Sequence, residues 1–128
     1  MKFLTSIFAV TVLGAVLLTG PATAFECPRH FTKAQAAIDK VIGDMKGEMS
    51  KSMARAGMKA EMALVHAMLD DAKMRLAGAK HNHQKPQGAY DHARAIAKAD
   101  GARGYAVAAD IFHFKLMQGM KSKGMKMK

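Results

Sequence analysis

Between residues 58 and 79 the apolar side chains fall at Met58, Met62, Val65, Leu69, Ala72, Leu76 and Ala79. The spacings alternate 4, 3, 4, 3, 4, 3. On a helix of 3.6 residues per turn, that alternation keeps one seam turned toward a partner. A chain with such a seam must supply other helices to cover it. The rest of the sequence agrees, because period-2 alternation and β-branched runs are nearly absent. A second stripe runs Phe31, Ala34, Ile38, Val41, Met45, Met49, Ser52 and Ala56. Thr32, with Gln35 three residues on, predicts a capping box at the start of that helix. Gly57, after Arg55, predicts its end.

A third helical stretch is expected from about Ala89 to Gln118. It is Ala-rich, and Tyr90, Ala93, Ala97, Ala108, Ile111, Phe112 and Leu116 are expected to supply its apolar surface. Between the second and third stretches, residues 81 to 88 predict a polar loop, with Pro86 able to open the next helix. Asp100-Gly101 is either a turn, which would make four helices, or a glycine tolerated inside one long helix. The long helix matches the other two better in length. The expected fold is therefore all-α, a small antiparallel bundle of three long helices, with four as the alternative.

Residues 1 to 24 predict an address. Lys2 is a short positive region, Phe3 to Leu18 is a run of sixteen apolar or small residues, and Ala22-Thr23-Ala24 is an A-x-A cleavage site. The run is short for a membrane span. Cleavage after Ala24 would leave 104 of the 128 residues and lower the net charge from +10 to +9. The expected destination is the periplasm. The bundle is expected over 25–118. Residues 119–128 predict a disordered Lys/Met-rich tail, where no acidic residue balances the lysines.

Charge and composition narrow the function. Export argues against nucleic acid as partner despite the excess of 20 Lys+Arg over 10 Asp+Glu, and no aromatic stacking platform counters that. The sequence has no nucleophile elbow, Walker loop or HExxH motif, so no enzyme is expected. One cysteine excludes an intrachain disulfide, a four-cysteine zinc site and covalent haem through C-x-x-C-H. A haem held by His and Met between helices is compatible with the chain, but no motif selects it.

The histidines and the single cysteine carry the chemistry. Pairing residue i of the first helix with residue 113 − i of the second sets about position 30 against position 83. Cys27 and His30 then arrive at the same end as His81 and His83, where the third helix brings Asp91 and His92. Cys27-x-x-His30 and His81-x-His83 are chelating spacings, and thiolate with imidazole suits copper or zinc. The candidate metal ligands are Cys27, His30, His81, His83 and His92. The ordinary alternative is solvated loop histidines beside a stray thiol, or a thiol paired between chains. Ligands that must shed protons make metal affinity fall as pH drops through about 6.

Methionine is abundant, at 12 residues. Met45, Met49 and Met53 repeat at i, i+4, i+8, as do Met58, Met62 and His66. Thioether sulfur is a soft ligand for Cu⁺. Met45, Met49, Met58 and Met62 nevertheless lie on core stripes, where methionine is an ordinary filler. Met74 is expected to be exposed, and Met120, Met125 and Met127 are expected to lie in the tail. His66 shares a helical row with Asp70, which is placed to orient its ring or simply to pair with it at the surface. His113, between Phe112 and Phe114, is expected to be partly buried.

In export, composition and motif type, the chain resembles the periplasmic Met/His-rich helical proteins that bind copper or silver. The residues that carry the resemblance are Met45/Met49/Met53, Met58/Met62/His66 and the His81-Asn82-His83 loop. The resemblance implies a non-enzymatic protein that buffers or transfers copper. The Ala-rich bundle and the single Cys27 depart from that group and favour one defined site over many weak ones. The competing expectation is a metal-free structural or stress module whose basic tail docks on an anionic membrane surface or an acidic protein.

Overall fold

The computed structural model describes residues 20–47 and 57–122. Three helices account for nearly all of them: α1, Gly20–Met45; α2, Lys59–Gln84; and α3, Asp91–Ser122. No strand occurs among the described residues. All three helices pack on one another as a small all-α bundle.

The heptad seam of α2 is the centre of the core. Met62, Val65, Leu69, Ala72, Leu76 and Ala79 are all buried. Ala34, Ile38 and Val41 of α1 pack against them, with Phe31 and Met45 partly buried beside them. The third face of the core is a row of alanines, Ala95, Ala99, Ala102, Ala106 and Ala109, each fully buried. Their spacing of 4, 3, 4, 3 repeats that of α2, so small side chains let two helices approach closely along one seam. This corrects the face expected for α3. Ala93 and Ala97 are exposed, as are Tyr90 and Ile111. Phe112 and Leu116 of the expected face do pack against the core, partly buried, while the close approach of α3 to its neighbours leaves the fully buried row to alanine.

α3 is continuous through Asp100-Gly101, so the bundle has three helices. Gly101 faces Arg75, whose guanidinium lies over the Tyr105 ring at 4.6 Å. A glycine within a helix costs about 1 kcal/mol relative to alanine, and a Cβ here would meet Arg75 no closer than 3.6 Å, so alanine would also fit. α3 also continues to Ser122, so residues 119–122 are helical rather than part of a disordered tail. Met120 is buried against Met62, with Met45, Met58 and Met117 around them. That methionine cluster closes one end of the bundle as core.

At the other end α1 begins earlier than its expected cap. Thr32 lies inside the helix and donates its hydroxyl to the carbonyl of Pro28, 3.0 Å away. Gln35 bonds Asp39 rather than a helix terminus. The expected cleavage point after Ala24 falls within α1. Most of the predicted export segment, residues 1–19, lies outside the described residues, as do Met49, Met53, Arg55 and the lysines beyond 122. No described helix is long and apolar enough to cross a membrane. Gly57, just before α2, has φ of +84°, a left-handed conformation that glycine adopts without strain.

Candidate metal centre

The open end of the bundle gathers side chains from all three helices. Cys27 projects from α1 into the interior and is fully buried. His83 comes from the last turn of α2, and His92 from the first turn of α3. One ligand atom from each, the sulfur and one ring nitrogen per histidine, lie within 4.8 Å of one another. A metal 2.0–2.3 Å from three ligands in a plane sets them about 3.5–4 Å apart. Each pair therefore closes by at most about 1.3 Å, which side-chain rotation supplies. The Cys27/His83/His92 group can hold a metal ion.

Local sequence explains each position. The antiparallel register places Phe31 edge-on to the His83 ring at 5.5 Å, close to the expected facing of positions 30 and 83. His83 in turn meets the His92 ring at 5.3 Å and 68°. The entry to α3 is fixed by Asp91, whose carboxylate accepts from the backbone N–H of Gln87 at 2.5 Å and of Gly88 at 2.9 Å. Those bonds, above all the one from Gln87, hold the Asp91 carboxyl below its ordinary range, with Arg94 3.4 Å away adding to the effect. Asp91 is thus occupied in shaping the turn that presents His92.

Nδ1 of His83 and Nδ1 of His92 are buried, and neither has a hydrogen-bond partner in the protein. Buried polar nitrogens without partners are rare and destabilising, and a bound cation would satisfy both. The Cys27 sulfhydryl points at the carbonyl oxygen of His92, 3.6 Å away. Burial pushes the Cys27 thiol above its ordinary value, against a smaller opposing effect of its backbone hydrogen bond, and Glu26 adds to the rise. The thiol is therefore protonated at neutral pH, and a metal entering the site releases that proton.

Two of the expected ligands are directed elsewhere. His30 is one turn along α1 from Cys27, and its Nδ1 lies 2.7 Å from Oδ1 of Asp100 on α3. His81 is exposed. The reason is that α2 extends to Gln84, so His81 and His83 are helical rather than in a loop. Residues i and i+2 of a helix point about 200° apart, so only one of them can face the bundle axis. Nothing in the spacing of His81-x-His83 distinguishes a helix end from a loop. Phe31, which backs His83, was visible only as a member of the core stripe.

The remaining candidates are placed as follows. His66 is exposed, and Asp70 pairs with Lys73 at 3.1 Å. His113 is buried, and burial pushes its imidazole pKa down against the opposing charges of Asp44 and Asp110. No protein-family profile, curated protein or solved structure matches the chain.

Proposed function

We propose that this chain is an exported, non-enzymatic copper-binding bundle that buffers or transfers Cu⁺ in the periplasm. The observation that carries the reading is that one ligand atom each of Cys27, His83 and His92 lies within 4.8 Å of the others, and that the Nδ1 atoms of both histidines are buried without a hydrogen-bond partner. One thiolate and two imidazoles form a donor set of mixed softness. Three ligands satisfy Cu⁺, whereas Zn²⁺ takes four and would need a water to complete its shell. Copper is therefore the first choice and zinc the second. The predicted export segment at residues 1–24 supports the location.

The site has the form of a carrier. It is at one end of the bundle, where His83 and His92 are each only partly buried. An incoming ligand from a partner can reach an ion there without unfolding the core.

The test is a competition titration. Protein purified from cells expressing the full chain is titrated with Cu⁺ against a coloured chelator, without oxygen. One ion per chain is expected to bind more tightly than micromolar. Cys27→Ser, His83→Ala and His92→Ala should each weaken binding at least tenfold, while His30→Ala and His81→Ala leave it unchanged. Equal affinity in all five variants would contradict the reading.

A further inference from the structure

The same three ligands have a second consequence, which rests on the copper reading. We infer that the Cys27–His83–His92 group is a redox-active copper centre, holding Cu²⁺ as well as Cu⁺ and passing one electron at a time.

One cysteine sulfur and two histidine nitrogens, each from a separate helix, lie within 4.8 Å of one another, the number and type of donors a three-coordinate copper site takes. A trigonal His₂Cys set is the donor arrangement of copper sites that pass single electrons. Cu²⁺ alone favours a square arrangement of nitrogen and oxygen. The neighbouring carboxylate, Asp91, is bonded to Gln87 and Gly88 and paired with Arg94, so its oxygens are engaged in the turn.

Cu²⁺ normally destroys thiols: two Cu²⁺ take one electron from each of two thiolates, giving two Cu⁺ and one disulfide. That reaction needs two sulfurs in contact. This chain has one cysteine, and its relative exposure is 0%. Two Cys27 sulfurs meet only if two bundles open, so the thiolate–Cu²⁺ bond persists in the closed protein.

The His83 ring is held edge-on between Phe31, at 77°, and His92, at 68°. His92 is fixed by the Asp91 turn, and Cys27 is within the core packing. Once the sulfur and the two rings have closed on the ion, the same packing holds them through a change of oxidation state, so little rearrangement is needed when an electron arrives. The step itself is simple: thiolate-bound Cu²⁺ gains one electron from a reduced one-electron redox protein and becomes Cu⁺, which gives that electron to a second, oxidised one-electron redox protein and returns to Cu²⁺. No bond forms or breaks, and no proton moves.

The experiment adds CuSO₄ to the metal-free protein, recording the visible spectrum and electron paramagnetic resonance. An intense thiolate-to-copper band is expected, saturating at one equivalent and absent in Cys27→Ser. Ascorbate should bleach it and ferricyanide restore it through repeated cycles, with one thiol per chain recovered after denaturation. His81→Ala should show the same band, since that ring is outside the group. Loss of thiol with disulfide-linked dimers and no band would overturn the inference. If Cu⁺ competition still shows a tight Cys27-dependent site in that case, the carrier reading stands and only the redox inference falls. If Cu⁺ is not bound either, both fall.

Discussion

Replacing His83 with leucine reverses sign between the metal-free and metal-loaded protein. In the metal-free protein, Nδ1 of His83 is buried without a partner. Such a group costs about 1–3 kcal/mol, which leucine removes. Leucine is also the better helix former, by a few tenths of a kcal/mol. Against that, the ring contacts with Phe31 and His92 are lost, each worth about 0.5–1.5 kcal/mol, and leucine packing restores part of that. With part of the lost contact restored, the balance runs from about 1 kcal/mol less to about 2 kcal/mol more stable than the native chain, centred on the more stable side. With metal at a thousand times its dissociation constant, the native protein gains about 4 kcal/mol. The variant, having lost a ligand, gains far less, so the order inverts. Urea denaturation followed by helical circular dichroism, with chelator and then with Cu⁺, measures both halves. A loss of more than about 1 kcal/mol in the metal-free variant would refute the reasoning, because the imidazole would then be a structural member of the core.

Other outcomes follow from the same geometry. Leu69→Ala removes a side chain 3% exposed at the middle of the α2 seam and should cost about 2–5 kcal/mol in the same denaturation experiment. Burial holds the Cys27 thiol above its ordinary value. Metal binding should therefore release one proton from it, and affinity should rise about tenfold per pH unit near neutrality, as titration calorimetry in buffers of different ionisation heat would show. For His113 the folded pKa is depressed from 6.5, chiefly by burial. The unfolded chain thus takes up the proton first as pH falls. Stability is full above about 6.5 and is lost as pH drops from there through the folded value. In His113→Phe that part of the pH dependence should disappear from thermal melts.

How far the sequence could be read depended on contrast. The α2 seam was legible because leucine, valine and methionine stand out among charged neighbours, and six of its seven positions are buried. The α3 face was not, because alanine reads as neutral. Its buried row of five alanines is set by how closely the helices approach, while Val107, Ile111 and Phe114 remain outside. The ends of helices were the least legible features. The absence of a break at His81 to Gln84 left the chelating look of His81-x-His83 in place, although a helix turns one ring outward. His30 looked like a partner for Cys27 until Asp100, seventy residues away, proved to bond it. The meeting of Cys27 with His83 followed from antiparallel register alone, since a two-helix hairpin fixes which positions face each other.

X-ray absorption at the copper edge of the Cu⁺-loaded protein tests the central claim most directly. The account predicts one sulfur near 2.3 Å and two nitrogens near 2.0 Å. A shell of sulfur alone, which would point to the methionines around Met62 and Met120, or a shell of nitrogen and oxygen without sulfur, would contradict it.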